Sequence, residues 1–108
     1  MKLEKIKILL VDDHAIVREG LSLVLNAQSD MIVVGEAAEG NEALVKISQL
    51  FPDIVIIDLR MPNGREGLPT INEIRQRFPH VKVLVLSMSK DEQSIMRAIK
   101  AGASGYLL

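Results

Sequence analysis

The chain has 108 residues, enough for one hydrophobic core and too few for a second. Its 48% apolar and 25% charged content, with a mean hydropathy of +0.22, excludes a disordered chain and indicates a compact fold. Thirteen basic against fourteen acidic residues leave a net charge of −1, which provides no overall attraction to a phosphate backbone.

Ile6 to Val11 read as a buried strand, and its apolar run, Ile8 to Val11, ends on two aspartates and is too short for a signal peptide or a membrane span. Ile16, Gly20, Leu23 and Ala27, flanked by Val17, Leu21 and Val24, then follow helical spacing. Ile32 to Val34 predict a second strand. Ala43, Leu44, Ile47 and Leu50 mark a second helix that must stop before Pro52. Ile54 to Ile57 form a third strand running into Asp58. Leu68, Ile71, Ile74 or Arg75, and Phe78 give a third helix closed by Pro79, and Val81 to Leu86 give a fourth strand. Ile95, Ala98, Ile99 and Gly102 give the fourth helix, and Gly105 to Leu108 begin a fifth strand. The scattered Met31, Met61, Met88 and Met96 read as packing residues.

Strict β/α alternation with strands apolar on both faces predicts an α/β fold, a doubly wound parallel sheet of five strands in the order 2-1-3-4-5. The lack of cysteine excludes disulfides, thiolate metal sites and cysteine nucleophiles, and fits a cytoplasmic protein. One tyrosine, two phenylalanines and no tryptophan leave little for stacking on single-stranded nucleic acid.

In such a sheet ligands bind beyond the carboxyl ends of the strands where the strand order reverses, here between the first and third strands. Asp12, Asp13 and Asp58 stand at those two ends. Three carboxylates in one crevice repel one another unless a pKa rises or a hard cation with oxygen ligands binds. Mg²⁺ fits, held by one or two of these carboxylates, by a carbonyl such as that of Arg60, and by waters. The plainer alternative, that the aspartates only cap the first helix, accounts for one of the three. Ser87, after the fourth strand, offers a hydroxyl to the same crevice. His14 reads as a surface residue, since Mg²⁺ prefers oxygen.

Four segments carry a family resemblance: Ile8 to His14, Asp58-Leu59-Arg60-Met61-Pro62, Leu84-Val85-Leu86-Ser87-Met88, and Lys100 to Leu108. Together they resemble the flavodoxin-like (CheY-like) receiver domain of bacterial two-component response regulators across the whole chain. Val33-Val34-Gly35-Glu36-Ala37 and the Ala101 to Leu108 stretch are similar to the NarL/FixJ (LuxR-type) subfamily, in which a helix-turn-helix DNA-binding domain follows the receiver. The resemblance implies that Asp58 is the phosphoacceptor, served by a sensor histidine kinase or a small phosphodonor. It implies Mg²⁺ on Asp12, Asp13, Asp58 and the Arg60 carbonyl, Ser87 as the switch hydroxyl and Tyr106 as the switch aromatic. Such a domain is not an enzyme in the usual sense, its only chemistry being self-phosphorylation and self-dephosphorylation on Asp58. Arg60 and Ser89 are expected to flank the path of the hydrolytic water.

Two departures stand out. The loop from Met61 to Gly67 is one residue longer than the family pattern, and the family's lysine is expected just after Leu108, followed by a fifth helix. The expectation is therefore a receiver fragment over residues 1–108, truncated before its last helix, reaching DNA only through an absent C-terminal domain and prone to homodimerise or otherwise self-associate. Rival readings fare worse on particular residues. A dehalogenase-type phosphatase needs an acid where Arg60 stands, a cobalamin module needs glycine at Val17, and a flavin carrier's phosphate would be repelled by Asp12 and Asp13. A degenerate receiver acting as an interaction module is opposed by the intact acidic triad.

Overall fold

The computed structural model describes residues 4–62, 64–87 and 92–107. Asn63, Met88, Ser89 and Leu108 lie outside the described residues. The elements alternate as β1 (Ile6–Val11), α1 (Ala15–Asn26), β2 (Met31–Ala37), α2 (Gly40–Leu50), β3 (Ile54–Ile57), α3 (Gly67–Arg77), β4 (Lys82–Leu86), α4 (Glu92–Ala101) and β5 (Gly105–Leu107). The strands make one parallel sheet in the order β2-β1-β3-β4-β5, as expected from the alternation. Four helices are present among the described residues.

Register explains the core. Leu9, Val55 and Val83 stand side by side across β1, β3 and β4, and Val11, Ile57 and Val85 form the next row. Because strand side chains alternate, all six point to one face, where Ala43, Leu44 and Ile47 of α2, Ile71 and Ile74 of α3 and Ala98 of α4 seal them from water. Each fully buried Val, Ile or Leu contributes about 1.5–3 kcal/mol, so this layer dominates stability. The choice between Ile74 and Arg75 resolves to Ile74, which is fully buried.

The opposite face is covered unevenly. Ile8 and Leu10 are buried, whereas Ile54, Ile56, Leu84 and Leu86 are half-buried and Leu107 is 50% exposed. Here α1 departs from expectation. Ile16 and Leu23 are 83% and 76% exposed, nothing approaches the open side of Gly20, and Ala27 is the C-cap. The helix rests instead on Arg18, Leu21, Ser22 and Leu25, an equally regular i, i+3, i+4, i+7 set. The polar members decide between the two flanks, because Arg18 Nε donates to Glu36 Oε1 at 3.0 Å and Ser22 Oγ lies 3.5 Å from Glu36 Oε2 on β2. Two smaller expectations also change: Met96 and Ile99 are half exposed, not packed.

Helix ends follow local chemistry. Glu39 caps α2, its carboxylate accepting from the backbone of Asn41 and Glu42 at 2.9 Å each and from Arg65 N at 2.9 Å. These three donors hold its carboxyl below the ordinary carboxylate range, the Arg65 bond foremost. α4 stops at Ala101 because Gly102 adopts φ +117°, with Ala103 N donating to Ala98 O and Gly102 N to Ile99 O, a Schellman ending. Gly102 therefore terminates the helix rather than belonging to its apolar face.

Candidate functional site

β1 lies between β2 and β3, so the chain leaves β1 in one direction and returns for β3 on the other side, opening a crevice beyond their carboxyl ends. Val11 pairs with Ile57, which delivers the next residues, Asp12 and Asp58, side by side. The ladder continues past the strands: Asp12 N donates to Ala37 O at 3.0 Å and Asp58 N to Val11 O at 2.9 Å. The three expected aspartates converge as the topology requires, together with His14. One ligand atom from each of Asp12, Asp13, His14 and Asp58 lies within 4.8 Å of all the others.

Neither Asp12 nor Asp13 caps α1. The N-cap is His14, without a side-chain cap bond, and Asp12 Oδ1 accepts from His14 N at 2.8 Å and from its Nδ1 at 2.9 Å. Asp13 Oδ1 is also 2.9 Å from Nδ1, but one N–H cannot serve both carboxylates, and this buried oxygen has no hydrogen bond. His14 is a surface residue, its side chain 67% exposed, yet it is drawn onto the acids. The hydrogen bond to Asp12, followed by the charge of Asp13, raises its pKa above 6.5 and favours the imidazolium. Asp58 titrates above the ordinary aspartate value chiefly because it is partly buried, with Asp12 and Asp13 adding repulsion. The N–H of Arg60, donating to Asp58 Oδ1 at 3.2 Å, works in the opposite sense.

The described part of the loop after Asp58 is closed on itself. Gly67 N donates to Leu59 O at 3.0 Å, Gly64 N to Met61 O at 3.1 Å, and Glu66 Oε1 accepts from Met61 N at 3.3 Å. Met61 is fully buried beneath it. Gly67 opens α3 because nothing larger fits: a Cβ there would stand 2.6 Å from Asp58 O and 2.7 Å from Leu59 Cα. Ser87 is buried at the end of β4, its N–H donating to Leu107 O at 2.9 Å, and it shares a cleft with Leu59 and Arg60. Tyr106 is half-buried on β5, packed against the core. Two participants were not read from the sequence. Arg18, whose guanidinium reaches the Asp12 carbonyl, is signalled only by its place one turn after His14, and the His14 pairing has no periodic signature at all.

A model of the response regulator receiver domain matches residues 8–108. The chain belongs to the response regulator receiver domain family. Within it this receiver is of the NarL/LuxR type. It is 47% identical over 102 residues to the oxygen regulatory protein NreC of Staphylococcus epidermidis, covering 94% of the chain and 47% of NreC. The receiver thus spans about half the length of the curated relatives it matches. Among solved structures it resembles a LuxR-family two-component response regulator from Aurantimonas sp. SI85-9A1, at 37% identity and a TM-score of 0.89, covering 95% of this chain and 73% of that one. It also resembles RcsB from Salmonella enterica serovar Typhimurium, solved on promoter rprA with phosphomimetic BeF3⁻, at 26% identity and a TM-score of 0.88, covering 97% and 60%. No helix among the described residues is long and apolar enough to cross a membrane.

Proposed function

We propose that this receiver accepts a phosphoryl group on Asp58 and thereby controls a DNA-binding domain of a longer transcription regulator. One observation carries the reading: a partly buried Asp58 converges with Asp12 and Asp13 at the sheet's switch point. The residues suit Mg²⁺, since the donor set is three hard carboxylates and the buried Asp13 Oδ1 has no hydrogen-bond partner. Asp12, Asp13, Asp58 and the Arg60 carbonyl would hold it. When bound it neutralises charge on the transferring phosphoryl oxygens.

The chain's own residues supply the rest. An Asp58 carboxylate oxygen attacks phosphorus, forming the aspartyl P–O bond as the donor's bond to phosphorus breaks. From a kinase phosphohistidine the leaving imidazole takes up a proton. From an acyl phosphate a carboxylate leaves and no proton moves. The aspartyl phosphate carries about −1.5 to −2 charge where the carboxylate carried one, and its three acceptor oxygens attract the Ser87 hydroxyl and let Tyr106 repack toward the space it leaves. Arg60 is long enough to cover the phosphoryl group and slow its hydrolysis. A sensor histidine kinase is the partner on the input side. On the output side, a C-terminal helix-turn-helix domain makes the DNA contact, and receiver self-association brings two such domains together.

Incubation with acetyl phosphate and Mg²⁺, read by intact-protein mass spectrometry, tests the reading. A single phosphoryl adduct on wild type, absent from Asp58→Asn, is expected. No adduct in wild type overturns it and leaves a receiver that works only as an interaction module.

A further inference from the structure

The cap of α2 does more than its helix requires. An N-cap side chain has to reach only the second and third helical N–H groups, and Ser, Thr, Asp and Asn do so best. Glu39 serves these two, Asn41 N and Glu42 N, at 2.9 Å each, but it is one methylene longer than an aspartate cap and uses that length elsewhere. Its Oε1 also accepts from Arg65 N at 2.9 Å, and the backbone answers in the other direction, Gly40 N donating to Arg65 O at 2.9 Å. Both backbone polar groups of Arg65 are thus taken by residues 39 and 40. The approach is close because glycines stand on either side. A Cβ on Gly64 would lie 2.4 Å from Glu39 Cγ, and one on Gly40 would lie 2.9 Å from Arg65 O and 1.9 Å from Oγ1 of the buried Thr70. The Arg65 side chain is anchored separately, on Glu73 of α3 at 2.7 Å.

From this contact we infer that Glu39 is a positioning residue for the acidic crevice: by holding Arg65 it fixes the turn of residues 58–61 and with it the carbonyl of Arg60, an inference that rests on Mg²⁺ binding at Asp58 and that carbonyl. The bonds run on without a gap. Residues 66 and 67, next after the clasped Arg65, carry the turn, since Glu66 Oε1 accepts from Met61 N at 3.3 Å and Gly67 N donates to Leu59 O at 3.0 Å. Glu66 is itself tied to α3 through its carbonyl, which accepts from Thr70 Oγ1 at 2.7 Å. Arg60 lies between the two suspended residues, and its N–H donates to Asp58 Oδ1 at 3.2 Å. Mg²⁺ demands near-octahedral geometry at about 2.0–2.1 Å, so a turn that drifts by more than about 0.5 Å binds it less well. The Arg65 bond is the largest of the influences that hold the Glu39 carboxyl below the ordinary range, so the acceptor in this clasp is an anion at neutral pH.

Glu39→Asp keeps the charge and the cap but not the reach, and Gly64→Ala strains the same contact from the loop side. Glu42→Ala is the control, because it removes the bond to Ala38 N at 2.6 Å from the same helical turn without touching Arg65. Amide exchange of Arg65 and Met61 by NMR in metal-free protein, and Mg²⁺ affinity by calorimetry, are read in each variant and in wild type with no phosphodonor present. In Glu39→Asp and in Gly64→Ala, exchange at both amides is expected to be about tenfold faster, the factor carried by about 1.4 kcal/mol, and the Mg²⁺ Kd to rise about threefold or more. Glu42→Ala should bind Mg²⁺ as wild type does even where α2 is less stable. Combining Glu39→Asp with Gly64→Ala should cost no more than the worse single change, as for partners in one contact. Wild-type Mg²⁺ affinity in Glu39→Asp alongside a faster-exchanging Arg65 amide overturns the positioning role and leaves a helix cap. An unchanged Arg65 amide in that variant overturns it as well, since the extra reach would then be idle, and an equal loss of affinity in Glu42→Ala does so by tracing the effect to the stability of α2. A wild type that does not bind Mg²⁺ overturns the site beneath the inference, and the inference with it.

Discussion

Gly67→Ala and Gly20→Ala are the same chemical change, and the structure gives them opposite signs. At Gly67 the added methyl meets backbone, with Asp58 O at 2.6 Å, Leu59 Cα at 2.7 Å and Leu59 O at 3.1 Å. No side chain can rotate away, so α3 must shift from the β3 end or the Asp58 turn must open. Overpacking of this kind costs about 1–3 kcal/mol, and a weakened Gly67 N to Leu59 O bond adds about 1 kcal/mol. The gain in helix propensity of Ala over Gly returns about 1 kcal/mol, which leaves a net loss of about 1–3 kcal/mol. At Gly20 nothing lies within 4 Å, the backbone is helical, and the same propensity is gained unopposed. Thermal unfolding followed by circular dichroism should therefore show Gly67→Ala lowered by at least about 4 °C and Gly20→Ala raised by a few degrees. Because the Gly67 methyl presses on the residue carrying the candidate acceptor, Mg²⁺ affinity should fall in that variant alone. A Gly67→Ala protein as stable as wild type would refute the claim that this contact fixes the turn.

Asp13→Asn, which removes the charge behind the buried oxygen that lacks a hydrogen bond, should weaken Mg²⁺ binding about tenfold or more by calorimetry. Glu39→Gln should lower stability by about 1 kcal/mol near neutral pH. The folded pKa of Glu39 is depressed, so its contribution is present above the unfolded value and lost as pH falls through the folded one. The gap in Tm between wild type and variant should accordingly close in acid below about pH 4.5, and a gap that widens there would contradict the cap. Light scattering across a concentration series should show association driven by the half-covered face, reduced by Leu107→Asp or Ile16→Glu, and a protein monomeric at high concentration would contradict that.

What the sequence made legible is what depends on local pattern. The apolar runs of β1, β3 and β4 and the alternation with helices led directly to the strand order, and the strand order led to the crevice holding Asp12, Asp13 and Asp58. The choice of flank on α1 was not legible, because two apolar or amphipathic stripes satisfy the same spacing and a long-range partner, Glu36, selects one. Glu39 was missed for a related reason. Its third donor, Arg65 N, lies 26 positions away and is brought close only by the packing of α2 beside the loop.

α1 contributes no fully buried side chain, and it is held by one partly covered flank, the two contacts to Glu36, the Arg18 contact to the Asp12 carbonyl and the bond from Val33 N to Asn26 Oδ1. In the language of hydrogen exchange it is the segment expected to open first, at a free energy below that of global unfolding. Yet Asp12, Asp13 and His14 form its root, so anything that bridges them to Asp58 favours the closed helix over the open one. A ligand specific for the closed form at a hundredfold excess over its Kd contributes about 2.7 kcal/mol, which would slow amide exchange in α1 roughly a hundredfold. Occupancy of the acidic crevice would then be legible along the whole helix, out to the exposed Ile16 and Leu23, without any change in its average position.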